Sequence, residues 1–233
     1  MVADALLIDP TFRVVSARVP RVSIFEDLVR PDDLKNVLAI EALTNDRLRE
    51  AAGAIHLTDV SDRVNGPGAS FVMAPFAYIR PGRFSPGGRR GAYYAGESLE
   101  TAIAETVYHR ARFFAATAEL PTIVENRVIE ATVAGAFVSV DGRDARNAAV
   151  LHPDSYDESF RFGAAVFDAG HDGVRYTSVR HPRGTCFAVL RPKCVRNAHT
   201  TKYLGYRWNG QCVEDVFEMR SLTCAYPDEP GAR

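Results

Sequence analysis

Lysine is nearly missing from this chain. Lys35, Lys193 and Lys202 are its three lysines, so 25 of the 28 basic residues are arginine. The bias has two readings. One is codon usage in a GC-rich genome; the other is recognition of phosphate or carboxylate, which a guanidinium grips as a planar fork and an ammonium does not. Net charge is missing too. The 28 basic residues against 29 acidic ones leave −1 over 233 residues, which removes the general electrostatic case for a nucleic-acid binder. No apolar run approaches the ~18–20 residues of a membrane span. The opening MVADALLIDP has no basic segment ahead of Ala5 to Ile8, so it does not read as a secretory signal. Cysteine is sparse and scattered. Cys186, Cys194, Cys212 and Cys224 form no CxxC pair and read as free thiols of a cytoplasmic protein rather than a disulfide framework. The six histidines form no HExxH and have no zinc-finger spacing, so no metal site is expected. There is no GxxxxGK[ST], and Gly66-Pro67-Gly68-Ala69-Ser70 lacks the third glycine of a dinucleotide fingerprint. Internal repeats and low-complexity tracts are absent as well.

What is present is the composition of a globular protein, 46% hydrophobic and 24% charged. Alternation predicts a strand at Thr11 to Ala17, carrying Arg13. Pro31-Asp32-Asp33 opens a helix running towards Glu50, with proline and two carboxylates suited to its first turn. A strand is expected at Phe71 to Ile79. Arg80 to Gly91 is too rich in glycine, proline and arginine for regular structure and reads as a long cationic loop. Ala92 to Ala95 follows as a brief strand, and Ser98 caps a helix whose apolar stripe is Leu99, Ala102, Ile103, Thr106, Val107, Phe113 and Phe114. Ser98, Thr101, Glu105, His109 and Arg112 share its polar flank. Strands are expected at Val124 to Val133, Ala136 to Val140, Gly173 to Ser178 and Thr185 to Leu190. A helix is expected at Tyr156 to Ala169, with Phe160, Ala164 and Phe167 inward and Ser159 in its first turn. Asn209-Gly210 signals a hairpin between Tyr203 to Trp208 and Gln211 to Met219. With no composition break, this is an α+β chain read as a single domain over 1–233. Its core spans about 11–192, with a helical insertion-like segment at 31–75 and a C-terminal β-hairpin at 200–220.

Taken singly, the polar candidates have ordinary readings. Glu105 is a solvated helix residue, Arg13 an edge-strand cation, Tyr94 a core or rim aromatic and Ser159 a helix cap. Cys186 with His181 suggests a thiol protease, but Cys186 sits in an apolar strand pattern and reads as a buried, inert thiol.

The combination is more specific. Gly82-Arg83-Phe84-Ser85, followed by Gly91-Ala92-Tyr93-Tyr94-Ala95-Gly96-Glu97-Ser98-Leu99-Glu100-Thr101-Ala102-Ile103-Ala104-Glu105-Thr106, resembles the core of the RES-domain family. Phe12-Arg13-Val14-Val15, with Arg18 beyond it, resembles that family's first motif. Ser159 and then Asp172-Gly173-Val174-Arg175-Tyr176-Thr177-Ser178-Val179-Arg180 resemble its later ones. Val14 stands where some members have tyrosine, and Ser85 where asparagine often follows. The resemblance implies an ADP-ribosyltransferase-like fold, with short mixed strands and flanking helices around an NAD cleft. It implies a cytoplasmic toxin of a type II toxin–antitoxin pair that consumes NAD+ as substrate and needs no metal. ADP-ribose would pass to water, phosphate or a protein, and the cognate antitoxin would be a helix-turn-helix (Xre-like) protein. Glu105, Arg13, Tyr94 and Ser159 are then the expected catalytic residues. Arg13, Arg18, Arg83, Tyr94, Ser159 and Ser178 are the expected NAD contacts. Two other classes stay open: a module that binds NAD+ or ADP-ribose, or only an antitoxin, without turnover; and a ribonuclease using arginine, His109 and Glu105.

Overall fold

A computed structural model describes residues 1–18 and 53–220. The helix expected between Pro31 and Glu50 and residue Cys224 lie outside the described residues. The described chain builds seven strands: β1 (Ala3–Ser16), β2 (Tyr93–Gly96), β3 (Thr122–Val140), β4 (Gly173–Thr177), β5 (Thr185–Val189), β6 (Val195–Trp208) and β7 (Val213–Met219). Three α-helices accompany them: α1 (Ala69–Ala77), α2 (Leu99–Ala116) and α3 (Asp157–Asp168). The α+β expectation holds.

The sheet runs β1-β2-β5-β4-β3-β6-β7, and an extra pairing of β1 with β3 closes the first five strands into a ring. The long β3 makes this possible. One of its edges pairs with β1 from Asn126 to Val138, while β6 and then the parallel β4 share the other. Each helix covers its own apolar cluster. Val72 and Phe76 of α1 pack on Tyr93, Ile129, Phe137 and Phe187. Val166 of α3 packs with Phe84, Val174 and Tyr176. Ala102 and Phe114 of α2 meet Val128, Leu204, Tyr206 and Trp208. Full burial of an aliphatic or phenyl side chain contributes about 1.5–3 kcal/mol, so these clusters set the positions of the three helices.

Several expectations need correction. The segment from Phe71 is helical, not a strand: six residues of α1 are buried, and an apolar run with no polar alternation fits a helix enclosed on most sides as well as a strand. Val124 to Val140 belongs to one strand rather than two, because pairing with β1 continues in register across Ala134, Gly135 and Ala136. Phe113 is 56% exposed rather than inward, since the buried stripe of α2 drifts towards Phe114 at its end. Ala164 faces solvent, and the inward face of α3 is Ser159, Gly163 and Val166. The terminal hairpin is present, but β7 begins at Val213. The Asn209 side chain accepts the backbone N–H groups of Gln211 and Cys212, both at 2.9 Å, and this widens the turn.

Candidate active site

Strand pairing brings distant residues to one place. Phe12 of β1 faces Gly96 of β2, Gly96 faces Cys186 of β5, and Cys186 faces Tyr176 of β4. Helix α2 starts directly after β2. Ser98 is its N-cap, accepting the N–H of Thr101 at 3.2 Å, a contact of about 1 kcal/mol in typical helices. Less than two turns on, Glu105 faces the end of β4. Its Oε1 accepts the Ser178 hydroxyl proton at 2.7 Å, and Cys186 Sγ lies 3.8 Å from the same oxygen. Burial, and then the Glu105 charge, push the Cys186 thiol well up, so it stays protonated and unreactive.

Arg13 approaches from β1. One Nη donates to the Tyr94 carbonyl at 3.0 Å, and the guanidinium sits 4.8 Å over the Tyr93 ring. Among the described residues no carboxylate pairs with it, and burial lowers its pKa by working against its charge. The Tyr94 hydroxyl accepts the Phe84 N–H at 2.9 Å and so pins the turn of the cationic loop; burial keeps its phenol un-ionised. Arg13 thus stands over the Tyr93 face of β2, and the Glu105 carboxylate stands by Ser178 and Cys186 at the adjoining ends of β4 and β5.

The RES domain model matches residues 61–209, which include Arg83, Tyr94, Glu105, Ser159 and Ser178. This chain belongs to the RES domain family. The uncharacterized protein y4oC of Sinorhizobium fredii (strain NBRC 101917 / NGR234) is 31% identical over 213 residues, 90% of this chain and 87% of that protein. The crystal structure of the M. tuberculosis MbcT–MbcA toxin–antitoxin complex aligns with TM-score 0.44 and 11% identity over 90% of this chain and 87% of that one.

In this RES domain the Arg83 charge reaches both Tyr94 and His109. Arg83 is 8% exposed; its Nη1 donates to the carbonyls of His152 (2.8 Å) and Val150 (3.5 Å), and its guanidinium covers the Tyr156 ring at 4.6 Å. Ser159 is fully buried, with its hydroxyl donated to the same Val150 carbonyl at 2.5 Å. Both hold the segment between β3 and α3. Arg18 is exposed at the end of the first described segment, and its charge falls on Arg110 of α2. His109, one turn beyond Glu105, has its pKa lowered chiefly by burial; Glu105 opposes that shift, and Arg180, Arg83 and Arg112 add to it.

Two residues beside Glu105 and Ser178 were not among the expected site residues, although His181 was weighed with Cys186. Thr101 is buried and its Oγ1 lies 2.9 Å from His181 Nδ1, while the His181 N–H donates to Ser178 Oγ at 2.9 Å. Thr101 already stood on the polar flank of α2, one turn before Glu105, and that position was the available signal. Two cavities lie along these strands. One of about 220 Å³ is bordered by Val14, next to Arg13, by Thr106, His109 and Arg110 of α2, and by Asn126 and Tyr206 of the sheet. A larger one of about 500 Å³, lined by Asp62, Arg63, Arg89, Arg90 and Phe167, lies at the other end of β2 and β5 and includes none of the expected residues.

Proposed function

We propose that this chain is the toxin of a toxin–antitoxin pair and that it consumes NAD+ by breaking the bond between nicotinamide and ribose. The observation that carries the reading is the Glu105 carboxylate held by Ser178 at 2.7 Å in a RES domain, on the helix that follows the strand whose Tyr94 carbonyl accepts from Arg13. In the proposed reaction the C1′–N bond breaks and its electron pair leaves with neutral nicotinamide. The ribose passes through an oxocarbenium-like state whose positive charge a fixed carboxylate stabilises. An acceptor oxygen or nitrogen from water, phosphate or a protein side chain then bonds to C1′ and releases its proton. Arg13 suits the pyrophosphate: one of its N–H donors is used on Tyr94, and the rest of the fork has no partner among the described residues. The Tyr94 ring would flank the nicotinamide. Ser159 would act as the wall behind the cleft, since its hydroxyl is spent on Val150, whereas Arg83 spends one Nη on Val150 and His152 and would be a second cation near Tyr94.

The same reading places the protein in the cytoplasm with a helix-turn-helix antitoxin that holds it inactive, because an NAD+-depleting enzyme must be restrained. The Arg80–Arg90 loop is where that partner would seat.

The test is nicotinamide release from NAD+ by pure protein, with and without phosphate, alongside Glu105→Ala. Wild type is expected to turn over, and the variant to lose at least about a hundredfold, the scale of removing one group that stabilises a charged transition state. Equal, slow release by both would overturn the reading. Loss of cellular RNA with NAD+ intact on induction would point to a ribonuclease instead.

A further inference from the structure

The geometry points to Thr101 and His181 as positioning residues for Glu105, an inference that rests on the function proposed above. Ser178 Oγ accepts the N–H groups of His181 at 2.9 Å and Arg180 at 3.2 Å. A hydroxyl oxygen has two acceptor sites, so both are occupied and the single proton is left to donate. It goes to Glu105 Oε1 at 2.7 Å. Ser178 therefore serves as an oriented donor to the Glu105 carboxyl oxygen, but only while the turn carrying residues 180 and 181 stays in place.

That turn is tied down by itself and by α2. The Ser178 N–H donates to the Gly184 carbonyl at 2.8 Å, and the Gly184 N–H to the His181 carbonyl at 2.9 Å. Arg183 takes a left-handed backbone (φ 67°) to allow this. The His181 ring then meets the buried Thr101 hydroxyl at 2.9 Å, and the Thr101 hydroxyl in turn lies 3.1 Å from the capping Ser98 hydroxyl. A Cβ on Gly184 would come within 2.6 Å of Thr101 Oγ1 and 2.8 Å of His181 Nδ1, so the glycine is what lets helix and turn close on each other.

Thr101 and Glu105 stand one helical turn apart on one face. The β4–β5 turn is thus fastened to α2 twice, at Thr101–His181 and at Glu105–Ser178. The first attachment has no reason to touch substrate: Thr101 is 1% exposed at the start of the helix. Its effect is to fix where the second one stands. A carboxylate that stabilises charge at one ribose carbon is sensitive to displacements of about 1 Å, which can cost up to about a hundredfold in rate.

The test is nicotinamide release by Thr101→Val, Thr101→Ser, His181→Ala and His181→Asn. Valine keeps the shape of threonine without the hydroxyl, and asparagine can present a polar atom near the place of Nδ1. Thr101→Val and His181→Ala are expected to lose about tenfold or more in kcat with KM changed less than about twofold, while Thr101→Ser and His181→Asn recover most of the loss. Wild-type kcat in Thr101→Val, or a loss appearing in KM, would overturn the inference. A second readout is independent of turnover. In a crystal structure of Thr101→Val the Ser178–Glu105 contact is expected to open beyond hydrogen-bonding distance; a contact still at 2.7 Å would refute the clamp. If wild type and Glu105→Ala release nicotinamide equally, the NAD+ reading fails while this distance still decides the positioning role.

Discussion

Arg13 has to hold a positive charge where its surroundings oppose one. Burial lowers its pKa, and what it has in exchange is one carbonyl and the face of Tyr93. Cation–π contact and a neutral acceptor compensate part of that cost, and an incoming pyrophosphate would compensate the rest. Lysine at this position would keep the charge and lose the planar fork. Arg13→Lys is therefore expected to raise the KM for NAD+ by about tenfold with a smaller change in kcat, as removal of ground-state binding does. Unchanged KM in a nicotinamide-release assay would show that another cation, Arg18 first, faces the pyrophosphate. The same residues show which side chains could be read without coordinates. Tyr94 and Glu105 belong to one strand–helix passage, so spacing and capping placed them together. Ser178 reaches Glu105 across 73 positions, and Thr101 reaches His181 across 80. No local pattern encodes such pairs, because the register of β4 and β5 creates them. Arg83 and Ser159 were expected as NAD contacts from the family resemblance; in the fold the Arg83 Nη1 donates to His152 and Val150 and the Ser159 hydroxyl to Val150, partners that no local pattern names.

At the level of elements, caps and turns were legible because they act through neighbours in sequence, as at Ser98 and Asn209. Helix α1 was not. Its run Phe71-Val72-Met73-Ala74-Pro75-Phe76-Ala77 has no polar side to reveal a period, and Pro75 inside it removes one amide donor. What makes it helical is enclosure: Val72 and Phe76 bury against the sheet. The residue that admits the helix is Gly68. Its φ of 79° is left-handed, and a Cβ there would stand 1.9 Å from the Ala198 carbonyl oxygen on β6. The Gly68→Ala variant must relieve both strain and overlap by moving backbone, so a loss of at least about 2 kcal/mol is expected from urea unfolding. A loss below about 0.5 kcal/mol, the range of an ordinary surface change, would mean that α1 and β6 are not held this closely.

The closed ring of β1, β2, β5, β4 and β3 packs several phenols where water cannot reach, and the molecule as a whole should register this at alkaline pH. Tyr93 is buried in the cluster under α1, and burial raises its pKa from 10.0 to about 12. Tyr206, beneath α2, is likewise pushed to about 12 by burial, despite a 2.7 Å hydrogen bond with the Thr106 hydroxyl that acts in the other direction. Tyr94 and Tyr176 are raised for the same first reason. Below the ordinary phenol value both folded and unfolded chains keep these protons, so the stability is fully present there. Between pH 10 and about 12 the unfolded chain loses protons that the folded one retains, and stability falls as pH rises. Each unit of displacement corresponds to about 1.4 kcal/mol per group, enough for a few phenols to exhaust a marginal fold. Tyrosinate absorbance should therefore rise in two stages, exposed phenols first and the buried set together with the loss of circular dichroism. Tyr206→Phe removes one linked proton, so its stability should decline less steeply across the same window. If Tyr93 ionised near pH 10 with the fold intact, the ring would be open to solvent at β2; if Tyr206 did, the layer between β6 and α2 would be.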